Sequence, residues 1–151
     1  MASAAAAAQA CVLLNEGSAT LARRCTWGTV WAQSARLAPD GKTLALAVQP
    51  LAGWTELWLF RQQAQGWDVA VLPPAASEPG LGYIEFAGWV PRSARMLLAR
   101  EAKVDGRVRR SFEVFNLETL ATEKQASTPQ LLVLFGQWQD TLWKSQTVSL
   151  R

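Results

Sequence analysis

Apolar and polar positions alternate along this chain in short runs, and turn-forming residues interrupt the runs every few positions. Period-two alternation with frequent turn signals predicts strands joined by hairpins. Cys11-Val-Leu-Leu14 is the first run, closed by Asn15-Glu16-Gly17-Ser18, and Ala19 to Cys25 returns as the second arm. Val30 to Leu37 follows, then Ala38-Pro39-Asp40-Gly41-Lys42, in which proline presets φ and glycine accepts a positive φ. Thr43 to Val48 resumes as a strand that Gln49-Pro50 is expected to break; Glu56 to Phe60 and Trp67 to Leu72 complete a set of four. A proline-rich loop over 73–80 separates this set from a second one: Tyr83 to Trp89, Ala94 to Ala99, Arg110 to Phe115 and Leu120 to Ala126. No segment shows sustained helical periodicity, although the alanine-rich start has helical propensity.

The two sets are related. Pro39 and Pro91 lie 52 residues apart, as do Leu44 and Met96, and Ala47 and Ala99. Phe86-Ala-Gly-Trp89 is echoed 49 residues later as Phe135-Gly-Gln-Trp138. A repeat near this length with four strands per repeat has the format of one propeller blade, a twisted sheet that buries its faces by stacking on neighbours.

Leu37-Ala-Pro-Asp-Gly-Lys-Thr-Leu-Ala-Leu46, followed by Glu56-Leu-Trp-Leu-Phe60, resembles a blade of the TolB-type, WD-like propeller proteins. Trp89-Val-Pro-Arg-Ser-Ala-Arg-Met-Leu-Leu98 with Phe112-Glu-Val-Phe-Asn116 is a weaker copy, with Arg92-Ser93 in place of Asp-Gly. A third copy, ending Gln139-Asp140-Thr141-Leu142-Trp143, is weaker still. The resemblance spans residues 30–147 and implies an all-β fold of four-stranded antiparallel blades, with no particular activity. Residues 11–25 then read as the last two strands of one blade and 131–150 as the first two of another. Joined, these ends bring the total to about three blade equivalents. That is too few for a closed ring, so the expectation is a piece of a propeller, a homodimer completing a six-bladed ring, or an open sandwich.

Composition narrows the function. Half the residues are apolar and 18% are charged, which favours a folded body over disorder. Residues 11–151 read as a single repeat domain, preceded over 1–10 by an alanine-rich leader or signal remnant. The net charge of +3 is too small to point to nucleic acid, and no apolar run is long enough for a membrane span. The complete absence of histidine removes Ser-His-Asp and Cys-His catalysis and histidine metal sites. Cys11 and Cys25 are either a disulfide, worth about 3 kcal/mol in an oxidising compartment, or two reduced thiols. The TolB likeness and the leader favour a periplasmic or secreted location, with the cytoplasm as the alternative.

Few constellations suggest chemistry. Asp40-Gly41-Lys42 lacks the spacing of a phosphate or calcium loop and reads as a hairpin turn. Asp68, Glu85 and Asp140 each lie near an aromatic residue, with nothing in their spacing to bring them together. No catalytic motif and no cofactor motif is present. A concentration of cations, Arg92 and Arg95 and then Arg100, Lys103, Arg107, Arg109 and Arg110, is opposed only by Glu101 and Asp105. It reads either as a docking patch for an acidic partner or as a solvated hairpin that guards a sheet edge. Eight tryptophans against one tyrosine read mainly as packing residues. Exposure of Trp54, Trp67 or Trp143 would instead open a carbohydrate-binding reading. The expected function is a non-catalytic binding or scaffold module that contacts a protein or small ligand. An accessory propeller portion of a hydrolase or peptidase is the alternative.

Overall fold

The computed structural model describes residues 8–75 and 81–146. Ten strands and three short helical segments follow one another along the described chain. Strands β1 (Ala10–Glu16) and β2 (Ala19–Thr26) form a separate two-stranded hairpin. Strands β3 (Thr29–Leu37), β4 (Thr43–Leu51), β5 (Trp54–Gln63) and β6 (Gly66–Leu72) form an antiparallel meander in chain order. Strands β7 (Gly82–Val90), β8 (Arg95–Val104), β9 (Arg107–Asn116) and β10 (Ala121–Ala126) form a second. A single parallel pair, Trp54 opposite Gly82, joins the two meanders. The repeat read from sequence is therefore a repeat of structure: β4 begins at Thr43 and β8 at Arg95, 52 residues on.

Alternation along the central strands sorts their side chains into layers. On β5, Leu57 and Leu59 face the second meander, whereas Trp58 and Phe60 face the β1–β2 hairpin. Between the meanders, Ala45, Leu57, Leu59 and Leu72 meet Ile84, Met96, Leu98 and Phe115. On the outer side of the first meander, Leu46, Val48, Trp58 and Phe60 are covered by Val12, Leu14 and Ala22, with the Arg24 guanidinium 5.1 Å from the Trp58 ring centre. On the outer side of the second meander, Leu97, Ala99, Phe112 and Val114 are covered by Leu132, Phe135 and Trp143. Each sheet thus buries both faces, which a lone sheet cannot do.

The chain after β10 departs from expectation. Instead of two further strands, it forms a 3-10 turn (Pro129–Leu131) and the helices α1 (Val133–Trp138) and α2 (Thr141–Gln146); residues 147–150 of the expected strand pair lie outside the described residues. Phe135-Gly-Gln-Trp138 echoes the strand segment Phe86–Trp89 in sequence only. The segment is shaped by its landing site. Phe135 and Trp143 stack edge-on with Phe112, and the peptide N–H of Asp140 donates to Ala87 O at 2.7 Å. Gly88 makes this approach feasible, because a Cβ there would lie 2.4 Å from Trp138 O.

The count of three blade equivalents is corrected accordingly. Two four-stranded meanders form, and the chain ends expected to unite in a third lie on opposite outer faces. A six-bladed ring from two chains therefore lacks the blade count on which it rested. Pro50 also does not end β4, which continues to Leu51 past a register shift between Val48 and Leu51. A bulge at that point accommodates a residue with no N–H to give.

Candidate functional site

At one end of the stacked meanders, turns from both sheets surround a cleft of about 800 Å³. It is lined by the β3–β4 turn (Ala38 to Thr43), by the end of β5 with the turn residue Ala64 (Arg61 to Ala64), and by the β7–β8 turn (Trp89 to Arg95). The first is a hairpin turn. Gly41 has φ 73°, its N–H donates to Ala38 O, and Asp40 Oδ1 accepts the Lys42 N–H at 2.9 Å. Asp40 is thus used to hold the turn. In the β7–β8 turn Arg92 takes φ 60°, a left-handed conformation that costs a non-glycine residue about 1 kcal/mol.

Two of the cleft cations hold carboxylates. Arg61 grips Asp68 with two bonds of 3.1 Å and also donates to Leu117 O, which ties β5 of the first meander to the β9–β10 turn of the second. Arg95 Nε donates to Glu123 at 2.6 Å, and Asn116 donates to the other oxygen of that carboxylate. These two donors, Arg95 first, hold the Glu123 carboxyl below its ordinary range. Lys42 and Arg92 are exposed in different turns, and Asp40 and Glu118 also line the cleft. The lining is aromatic at Trp89, whose indole N–H is buried without a hydrogen-bond partner among the described residues.

The cation concentration read from sequence is divided by the pleat. Arg92 and Arg95 belong to the cleft, near the start of β8. Lys103, Arg107, Arg109 and Arg110 cluster instead around the β8–β9 turn, about 25 Å along the strand at the usual rise per residue. That turn has Asp105 at φ 51° and Gly106 at φ 77°, the paired positive values of a type I′ hairpin. Register places Lys103 and Arg110 on the face that carries the helices, with Arg107 and Arg109 on the other face. Arg110 is paired with Glu101 at 2.7 Å. Arg100 turns inward between the meanders, where its Nε lies 3.0 Å from Glu113 and its Nη1 donates to Pro73 O. Of the five candidates, Lys103, Arg107 and Arg109 are thus exposed without a carboxylate partner among the described residues.

The remaining candidates resolve individually. Cys11 and Cys25 stand opposite one another in the β1–β2 ladder and are joined as a disulfide. Asp68 is held by Arg61, Glu85 accepts the Trp143 indole N–H at 3.1 Å, and Asp140 Oδ1 accepts the Leu142 N–H. Each of these carboxylates has a structural partner. Trp54 and Trp143 are buried, and Trp67 packs beside Phe60 and Trp58. The exposed indoles are Trp27, Trp31 and Trp138, which alternation alone could not separate from the rest. Among the described residues no helix is long and apolar enough to cross a membrane. Comparison of the chain with protein-family models, with curated proteins and with solved structures finds no match.

Proposed function

We propose that this chain is a non-catalytic binding module built on blades of the propeller type, with its ligand seat in the cleft between the two sets of turns. The observation that carries this reading is the cleft itself, about 800 Å³ in size and lined by turns from both sheets. Turns held by a rigid sheet scaffold are where binding residues concentrate. The chemistry of the site favours binding over turnover. The chain has no histidine, and Asp68, Glu85 and Asp140 are each occupied in a structural bond. Both charge signs and an indole face the cleft, which suits a peptide segment or a small polar ligand bearing an acidic group. The Cys11–Cys25 disulfide supports a periplasmic or secreted location.

A thermal-shift screen with short acidic, basic and neutral peptides and with organic phosphates tests the reading. At least one probe raises the melting temperature of the wild type, and the rise disappears in Arg92→Glu or Lys42→Glu. A screen in which nothing shifts the protein, or a shift that survives both substitutions, overturns the proposal.

A further inference from the structure

The β8–β9 hairpin carries a surface that the cleft between the turns does not involve. Its two-residue turn, Asp105-Gly106, is closed by the Val104–Arg107 pair, and the ladder behind it runs to Arg95–Asn116 without a register shift. In such a turn the closing pair is hydrogen-bonded, and bonded pairs then alternate along the ladder. Arg107, Arg109 and Ser111 therefore give their backbone groups to β8, whereas Val108 and Arg110 turn theirs to the opposite edge. On that edge β10 pairs with β9 only from Phe112, opposite Ala126, onward. Past Ala126 the chain leaves the sheet for the 3-10 turn. Among the described residues, the peptide N–H and C=O groups of Val108 and Arg110 thus face no strand. Such an edge is a template for one more strand, because its donors and acceptors repeat at strand spacing. An extended polypeptide matches that row; a lipid surface or a nucleic-acid backbone has no amide donors and carbonyl acceptors in the same register.

Charge selects the composition of that strand. Residues 103–111 hold four cations, Lys103, Arg107, Arg109 and Arg110, against one carboxylate, Asp105. Arg107 and Arg109 lie on one face of β9, and both are exposed without a carboxylate partner among the described residues. Cations along an edge repel a basic strand, a second copy of this hairpin included, and pair favourably with acidic residues standing across from them. On the other face, which carries the helices, Val108 is 53% exposed. There the edge runs past Arg110 into a second cleft of about 520 Å³, lined by Phe112, Trp143, Thr128 and Gln139 among others. We propose that the open edge of β9, from Arg107 to Ser111, receives an extended acidic segment of a partner protein as an added strand in line with β10. Its carboxylates meet Arg107 and Arg109, and the residue opposite Arg110 points towards the second cleft.

Fluorescence anisotropy of a short labelled peptide of alternating glutamate and valine, titrated with the full chain, tests this. Alternation puts its glutamates on the face of Arg107 and Arg109 and its valines on the face of Val108. The wild type binds it, and Arg107→Glu and Arg109→Glu each weaken binding about tenfold or more. Both variants keep the wild-type circular dichroism, since both side chains are exposed. Arg23→Glu, the same change of charge at an exposed site on β2, leaves binding intact. A copy of the peptide with glutamine in place of glutamate binds about tenfold more weakly or worse, and a copy with N-methylated backbone amides does not bind. No binding up to millimolar concentration overturns the proposal, including the case in which phosphatidylserine vesicles or single-stranded DNA bind through Arg107 and Arg109 instead. Binding that survives both arginine variants overturns it, and so does equal binding of the N-methylated copy, which would leave charge attraction without an added strand.

Discussion

At the scale of single residues, local electrostatics around the turns can be tested by titration. Glu123 accepts from Arg95 and Asn116, so in the folded chain it gives up its proton more readily than at its ordinary value of 4.5. A carboxylate whose folded pKa is depressed stabilises the native state above the unfolded value, and that contribution fades as pH falls through the folded pKa. Glu123→Gln therefore lowers the melting temperature slightly at neutral pH, and the gap from wild type closes as the solution is acidified below about 4.5. Melting curves from pH 7 to about pH 3 measure it; a gap that stays constant throughout would remove Glu123 from the account. Some residues could be assigned before any fold was known. Gly41 and Gly106 sit in Asp-Gly turns and have the positive φ those turns require. Arg92 could not be assigned, because nothing in Val90-Pro91-Arg92-Ser93 signals a left-handed arginine.

Among the elements, the β1–β2 hairpin and the helical segment illustrate different dependence on context. A two-stranded hairpin is marginal alone. This one is held by Val12, Leu14 and Ala22 against Trp58 and Phe60 and by the Cys11–Cys25 disulfide. Closing a loop of this length contributes about 3 kcal/mol through the unfolded chain. Cys11→Ser, or full reduction, should lower unfolding stability in urea by about that amount. An unchanged urea midpoint would assign the hairpin's stability to packing alone. The central strands β4, β5, β7, β8 and β9 could be read because they carry runs of buried apolar residues between turn signals. Leu131-Leu-Val-Leu-Phe135 could not, since a short continuous apolar run fits a buried strand and a buried helix equally. Helices as short as α1 and α2 do not persist by propensity. They form here because Phe135 and Trp143 dock on Phe112 and because Gly88 leaves room for the chain that joins them.

For the whole molecule, the critical contact lies where the two meanders meet. Arg100 on β8 and Glu113 on β9 are diagonal neighbours in the ladder and form an ion pair, while Arg100 also reaches Pro73 O at the end of the first meander. Glu113 is further bonded by Ser111 and Thr122. The carboxylate side chain is only 5% exposed, so removing its cation strands a charge in a poorly solvated place. Arg100→Met should cost about 3 kcal/mol, and Arg100→Met combined with Glu113→Gln should cost less. Denaturant unfolding of the two variants decides the matter. A double variant at least as unstable as the single one would refute the buried-charge explanation.

The chain's own order of residues was sufficient to establish ten strands, the hairpin turns and a repeat of 52 residues, because these rest on local alternation, backbone preference and neighbour-to-neighbour pairing. Tertiary structure alone decided how the strands share their burial. It placed the hairpin and the helices on opposite outer faces, turned Arg100 inward while leaving Arg107 and Arg109 in solvent, and buried Trp54 and Trp143 while exposing Trp27 and Trp31. The physical reason is that burial depends on which distant surface arrives at a face. Side-chain alternation along a strand specifies two faces without naming the partner of either.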